Sequence, residues 1–123
     1  MTAAARALRP VHDFTVSTDR IEHLRGLGFT NEELYRIVAP RRTLARRAEN
    51  GEPLSQAESD RVLRLERIAE HADRVFVDRE KAHRWLRKVS RALDARPIDL
   101  LQSETGARIV EQELHRIDFG LFA

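Results

Sequence analysis

Apolar residues recur every three or four positions along most of the chain from residue 17 onward, a spacing that indicates amphipathic helices rather than strands. The first predicted helix begins near Ser17–Thr18, a favourable N-cap pair, and ends at Gly28. A second opens with a capping-box pattern at Thr30 and ends before Pro40, because the residue preceding a proline avoids the helical conformation. A third begins at Pro40 or the next residue and ends at Asn50-Gly51. Three short helices joined by tight turns predict a helix-turn-helix.

The second half of the chain predicts a longer helix over about residues 55–76, followed by shorter ones. A second capping box begins at Ser55, and the apolar residues that follow alternate between spacings of three and four, a seam suited to packing on another helix. Shorter helices are predicted to begin near Asp78 and Pro97, and a last one runs from about residue 103 to Ile117. The pattern as a whole predicts an all-α protein.

We divide the chain into three parts on this pattern. Residues 1–16 show no sustained period and contain Pro10, so we expect a flexible N-terminal arm. Residues 17–53 hold the predicted helix-turn-helix, and residues 54–123 hold the remaining helices.

Composition narrows the class of protein. Charged residues make up 34% of the chain, so most helix faces must be solvated, yet the net charge is only +2. The sequence has no cysteine, which excludes disulfides and thiolate metal sites. The apolar runs are much shorter than a membrane span, and the N-terminus lacks the long apolar stretch of a secretory signal. We therefore expect a cytoplasmic protein that does not bind membranes.

Arginine dominates the basic residues, because Lys81 and Lys88 are the only lysines among 22 cations. The planar guanidinium suits phosphates, guanine edges and carboxylates. The predicted third helix concentrates this chemistry and carries five DNA-binding candidates: Arg41, Arg42, Thr43, Arg46 and Arg47.

In a major groove, Arg41 and Arg42 at the start of the third helix would contact bases, while Arg46 and Arg47 would contact phosphates. So few phosphate contacts would bind weakly, which predicts a dimer or larger complex on a repeated site. Two alternatives stay open. The segment could be an ordinary solvated basic face, and a high-GC genome would produce the same preference for arginine.

The C-terminal end is unusually apolar, with Phe119, Leu121 and Phe122 in the last five positions. Chain ends are normally polar and frayed, so an apolar end indicates a binding surface that inserts into a partner. The alternative is that this segment folds back onto the protein's own core.

Other motifs predict ordinary structural roles. The Ser55 to Glu58 spacing is explained by helix capping. Glu111 and His115 have a spacing that can hold a metal, but the sequence offers no further ligand nearby, and we expect no metal site. No set of nucleophile, base and orienting residue can be assembled, so we expect neither catalysis nor a cofactor.

From about Gly28 to Ala123 the chain resembles the Xre/MbcA/ParS toxin-binding antitoxins. The resemblance rests on stretches that occur in order: 42–47, 54–61, 64–65, 75–76, 80–82, 85–86, 97–101, 104–108, 110–111 and 116–120. The last of these include Glu104-Thr105-Gly106-Ala107-Arg108 and Arg116-Ile117-Asp118-Phe119-Gly120. Each stretch is weak alone, and the ordered set is specific.

The resemblance implies an N-terminal Xre-like helix-turn-helix and a C-terminal toxin-binding region. It implies a partner toxin with a RES domain that acts on NAD, either degrading it or transferring its ADP-ribose to a protein. In this family the antitoxin covers the toxin's NAD cleft, and the complex represses its own operon. Seven residues become toxin-facing candidates: Arg108, Glu111, Ile117, Phe119, Leu121, Phe122 and Ala123.

Two departures accompany the resemblance. Pro40 stands where the family commonly has a small residue before the recognition helix, and Asp118-Phe119 replaces a more usual Glu-Tyr. Because Phe119 lacks the hydroxyl group of a tyrosine, one possible contact with a partner is absent. A type II antitoxin that acts as a homodimer within a larger complex is the resulting prediction, and a stand-alone helix-turn-helix regulator is the alternative.

Overall fold

The computed structural model describes residues 13–122, which form six α-helices and one short 3-10 turn. Within these residues no strand forms, and Ser90 and Ala95 make an isolated antiparallel bridge. The helices are α1 Asp19–Gly26, α2 Asn31–Ile37, α3 Arg41–Glu49, α4 Gln56–Phe76, α5 Arg79–Arg87 and α6 Glu104–Phe122, with the 3-10 turn Pro97–Leu100 before α6. The all-α prediction is confirmed.

Local capping chemistry sets the helix starts. Thr30 and Ser55 both form complete capping boxes, in which the hydroxyl accepts from the backbone N–H three residues on and the Glu there accepts in return. Asp78 caps α5 by accepting from two backbone N–H groups. Pro40 occupies the N-cap position of α3, where its extended backbone turns the chain between α2 and α3.

The long helix α4 is the centre of the molecule and packs against α1, α5 and α6. Its buried side chains include Val62, Leu65 and Ile68, which are fully enclosed. Leu34 from α2 and Leu114 from α6 belong to the same apolar cluster. The helix-turn-helix and the C-terminal helices therefore share one hydrophobic core instead of forming two separate ones.

The turn after α1 brings two parts of the chain into close contact. Gly28 has a φ of +104°, a conformation that side-chain-bearing residues rarely adopt. A Cβ there would lie 2.0 Å from Cε1 of His83 on α5, and the His83 ring in turn lies 2.9 Å from the Leu27 carbonyl oxygen. The absence of a side chain at Gly28 thus allows α5 to approach the helix-turn-helix.

Two helix predictions need correction. The helix predicted to end at Ile117 continues to Phe122, because no proline interrupts it and a single glycine at 120 costs only about 1 kcal/mol in a helix. The helix predicted from Pro97 is instead the short 3-10 turn, which ends where the chain turns into α6.

The predicted arm of residues 1–16 lies mostly outside the described residues. Its last residue is anchored, since the Val16 N–H donates to Ser59 Oγ at 3.0 Å and its carbonyl accepts from Leu54 N–H at 2.9 Å. Ala123 also lies outside the described residues, as do the side chains of Leu121 and Phe122.

Candidate functional site

The outer face of α3 is strongly basic. Arg41, Arg42 and Arg46 are exposed, and none of them forms an ion pair with any residue in the described range. Leu44 is buried on the opposite side and holds α3 on the core, while Thr43 is half-buried at the edge. Three guanidinium groups thus stand free in solvent on one short helix.

Arg47 lies on the same helix but has a different role. Its Nε donates to Glu58 Oε1 at 2.6 Å, its Nη1 donates to Glu52 Oε2 at 3.2 Å, and its side chain is 17% exposed. Burial raises the pKa of Glu58, but hydrogen bonds from Arg47 and the Ser55 backbone outweigh it and hold that pKa below its usual value. Arg47 therefore fastens α3 to the start of α4, and its guanidinium is already engaged.

The segment between α2 and α3 is also held from α4. Nη1 of Arg61 donates to the Val38 carbonyl at 3.0 Å, just before Pro40. Because α4 fixes this carbonyl and Arg47 together, the exposed cations of α3 are presented on a rigid support. Free guanidiniums at such a position can bind phosphate oxygens or guanine edges.

The C-terminal helix α6 divides into an inner and an outer face. Ala107, Val110 and Leu114 are fully enclosed in the core. Arg108, Gln112, His115 and Phe119 recur at helical spacing on the outer face, and all four are exposed. We call these four residues the outer stripe. The Phe119 side chain is 79% exposed, so the described structure leaves a large aromatic ring in water.

Two further predicted toxin-facing residues on α6, Glu111 and Ile117, are engaged by the protein itself. Glu111 accepts from Arg67 Nε at 2.8 Å and so ties α6 to α4. Ile117 is half-buried against the core on the other side of α6. The structure thus places Arg108 and Phe119 on the same exposed face of α6, with Glu111 beside that face and Ile117 on the opposite one.

Ile117 borders a groove that sequence reasoning did not find. This open groove of about 550 Å³ is lined by Trp85, Val89 and Ile117, and also by Arg91 and the ion-paired Arg116 and Glu113. Val89 is 63% exposed there, and the Trp85 and Phe76 rings are in contact with their centroids 5.7 Å apart and their planes tilted by 42°. The sequence places these residues in different helices, so only packing shows that they share one surface.

A second unanticipated contact joins α4 and α6. The rings of His71 and His115 lie with centroids 4.6 Å apart and planes tilted by 58°. The sequence places His115 four residues after Glu111 and shows no other histidine nearby. Folding brings His71, 44 positions away by number, directly against it.

The fold is all-helical, its third helix is basic, and its last helix exposes the Phe119 ring. These features define the class of helix-turn-helix proteins with an added C-terminal region. In the described part of the chain, no helix combines the length and the apolar character that a membrane crossing requires.

Comparison with known proteins agrees with this class. Residues 17–67 match the Antitoxin Xre-like helix-turn-helix domain, and residues 71–120 match the Antitoxin Xre/MbcA/ParS C-terminal toxin-binding domain. The chain is 37% identical over 84 residues to the Antitoxin Xre of Pseudomonas putida (strain KT2440), a match that covers 68% of this chain and 53% of that relative. The match thus spans about half the length of this relative. The chain belongs to the Xre/MbcA/ParS antitoxin family.

Proposed function

We propose that this protein is the antitoxin of a type II toxin–antitoxin pair and that it inhibits a RES-domain toxin by covering the toxin's NAD cleft. The observation that carries the proposal is the exposed Phe119 on α6, inside the range that matches the toxin-binding domain. The protein acts by binding and has no catalytic role of its own. The RES identity of the partner rests on the family resemblance.

Inhibition is steric in this proposal. The outer stripe and the residues after Phe119 enter the cleft, and the aromatic ring loses its contact with water on binding. A cleft that binds an anionic dinucleotide contains buried donors, which the inserted segment must satisfy. Glu111 is an unsuitable acceptor unless its bond to Arg67 opens, since that bond already holds its carboxylate on α4.

The groove beside Ile117 extends the proposed contact surface. It is apolar at Trp85 and Val89 and lies within residues 71–120. A partner loop that covers both the outer stripe and this groove would contact α6 on two sides. The contact would then combine a central aromatic anchor with a polar rim, an arrangement typical of strong protein interfaces.

The second part of the proposal is that the protein represses its own operon. Arg41 and Arg42 contact base edges, and Arg46 contacts phosphate. Arg47 contributes indirectly by holding α3 in position, because its guanidinium already pairs with Glu58 and Glu52. Two copies on a repeated operator supply the phosphate contacts that one module lacks.

The direct test is co-expression with a RES-domain toxin from the same organism. We expect the two chains to purify together in a fixed ratio, and we expect NAD consumption by the toxin to stop when this chain is present. A toxin that stays active at saturating antitoxin would contradict the proposed inhibition. Sequence-specific DNA binding without any co-purified partner would instead favour the stand-alone regulator.

A further inference from the structure

Helix α5 exposes a row of cations that the proposed function does not use. Lys81, Arg84 and Lys88 follow one another at spacings of three and four residues, which places them on one side of α5, with Lys88 at its C-cap. All three residues are exposed. We call these three residues the α5 stripe. At a rise of about 1.5 Å per helical residue, the α5 stripe is about 10 Å long.

The charges of the α5 stripe are almost unopposed. Glu80 is the acidic residue of α5, and it lies 4.0 Å from Arg84 while both side chains stand largely in solvent. Neither Lys81 nor Lys88 forms an ion pair with a residue between 13 and 122. This side of α5 therefore keeps its positive charge and can attract an anionic partner.

The kind of cation is also distinctive. Lys81 and Lys88 are the chain's two lysines, and both belong to the α5 stripe. A lysine carries a compact charge on a flexible stem and does not hold a carboxylate in the fixed two-bond geometry of arginine. Lysine is depleted at the centres of protein interfaces, whereas the rims of interfaces are polar and solvent-accessible. The α5 stripe is therefore suited to attraction at the edge of an interface.

The inner side of α5 fixes the direction of the α5 stripe. Nε2 of His83 lies 2.9 Å from the Leu27 carbonyl oxygen, and the Arg87 guanidinium pairs with Glu33 at 2.9 Å. These contacts hold α5 against the helix-turn-helix from the side that the stripe does not occupy. The three cations consequently project from a fixed backbone into solvent.

An apolar surface continues from the α5 stripe towards α6. Lys88 lines the same groove as Trp85, Val89 and Ile117. A surface that combines cations with exposed apolar side chains suits a protein partner, because protein–DNA interfaces are more polar than protein–protein ones. The stripe and the groove also lie within residues 71–120, the range that matches the toxin-binding domain. Both observations favour the toxin over DNA as the partner of the α5 stripe.

We infer that the α5 stripe binds an acidic surface of the toxin outside the NAD cleft and attracts the toxin before the two proteins touch. The inference rests on the proposed function, in which Phe119 and the end of α6 enter the cleft. A cleft that binds an anionic dinucleotide favours positive charge, so the acidic surface lies beside the cleft. The α5 stripe then governs the rate of association, and Phe119 governs the rate of dissociation.

The test is stopped-flow measurement of association between the full chain and a purified RES-domain toxin from the same organism, at several salt concentrations. The test variant combines Lys81→Gln, Arg84→Gln and Lys88→Gln. We expect its association rate constant to fall by about tenfold at low salt, while its dissociation rate constant changes by less than about threefold. At about 1 M salt the screening length is about 3 Å, and the variant and the natural chain should associate at the same rate.

A variant with the same change in charge serves as the control. It removes three exposed cations from α3 by combining Arg41→Gln, Arg42→Gln and Arg46→Gln. This control should associate with the toxin about as fast as the natural chain does. If it slowed association as much as the α5 variant, net charge alone would explain the effect and the inference would be overturned. The midpoint of urea unfolding should be the same in all three proteins, because the replaced side chains are exposed.

The remaining outcomes separate this inference from the proposed function. An unchanged association rate in the α5 variant, with Phe119→Ala still weakening the complex, would overturn the inference and leave the proposed function intact. A natural chain that does not bind the toxin would overturn both. Loss of operator affinity in the α5 variant, without a change in toxin association, would assign the α5 stripe to DNA and likewise overturn the inference.

Discussion

Arg87 of α5 donates hydrogen bonds of 2.9 Å from Nε and from Nη2 to the two carboxylate oxygens of Glu33 on α2. The same guanidinium donates to the Gly28 carbonyl at 3.2 Å and lies over the Phe29 ring. The C-terminal region is thus hydrogen-bonded to the turn that precedes α2. A change in one region can reach the other through these bonds.

The first prediction concerns this connection. Replacing Arg87 by Ala leaves Glu33 largely enclosed and without its charged partner, since the Glu33 side chain is 13% exposed. We expect the free energy of unfolding in urea to fall by about 1–3 kcal/mol. The control is Arg84→Ala on the same helix, where the cation is 68% exposed and contacts Glu80 only at 4.0 Å. The control should change stability by less than about 0.5 kcal/mol.

The second prediction is a pH dependence that originates at Glu58. Its pKa in the folded protein lies below the ordinary value of 4.5, despite burial, because Arg47 and the Ser55 backbone donate to it. The ionised form therefore stabilises the fold above pH 4.5, and this stabilisation is lost as the pH falls through the lower folded pKa. Glu58→Gln should lower the free energy of unfolding at pH 7 by about 1–3 kcal/mol. It should also make this free energy depend less on pH under acidic conditions.

A matched control exists for that measurement. Glu49→Gln removes an exposed carboxylate at the end of α3 that forms no ion pair in the described chain. Its unfolding profile from pH 3 to pH 7 should follow that of the natural protein. If Glu58→Gln also followed that profile, the pair with Arg47 would contribute nothing to stability.

The third prediction tests a close approach at the start of α6. A Cβ on Gly106 would lie 1.9 Å from the Leu100 carbonyl oxygen, which belongs to backbone and cannot rotate away. Gly106→Ala should therefore destabilise the protein by about 1–3 kcal/mol in thermal or urea unfolding. Gly26→Ala at the end of α1, where a Cβ meets nothing within 4 Å, should be neutral or slightly stabilising. A neutral Gly106→Ala would mean that α6 and the 3-10 turn can separate without cost.

The fourth prediction separates the roles of the cations on α3. Arg41→Ala and Arg42→Ala should each lower operator affinity by about 1–3 kcal/mol and relax base preference at one position. Arg46→Ala should weaken binding to all DNA sequences alike. It should also reduce the slope of log affinity against log salt concentration by about 1. Fluorescence anisotropy at several salt concentrations measures both effects, with exposed Arg84→Ala as the control. Unchanged operator binding in all three α3 variants would remove this helix from the DNA interface.

The fifth prediction concerns the exposed aromatic ring on α6. Phe119→Ala should weaken toxin binding by about 2 kcal/mol or more, as loss of a central aromatic anchor does. Its own stability should change by less than about 0.5 kcal/mol, because the ring is already in water. Val77→Ala, at a side chain that is 89% exposed after α4, should leave inhibition intact. Full inhibition by Phe119→Ala would show that the anchor lies elsewhere.

Much of the fold could be predicted from local patterns. The capping boxes at Thr30 and Ser55 and the cap at Asp78 depend on side chains two or three residues from the groups they bond, so the sequence shows them directly. The end of α6 could not be predicted in this way. Helix propensity near residue 120 is a balance of small terms, and a glycine there shortens a helix in one context and is tolerated in another.

For the candidate site, the sequence shows which residue types are present but not which partner each side chain has. Arg47 and Arg46 are adjacent and chemically identical, yet Arg47 pairs with Glu58 while Arg46 faces solvent. Both acid partners of Arg47 lie beyond the end of α3, and nothing in the local pattern indicates which arginine reaches them. The same holds for Glu111, whose partner Arg67 is far away along the chain.

The sequence by itself determined the helices, their order, the turns between them and the concentration of cations on the third helix, because these depend on residues within a turn or two of one another. Only the tertiary structure decided which cations stay free, that both halves share one core, and that His71 meets His115. Those outcomes depend on which faces of distant helices pack together, and side-chain pairing across α4 and α6 is set by that packing rather than by separation along the chain.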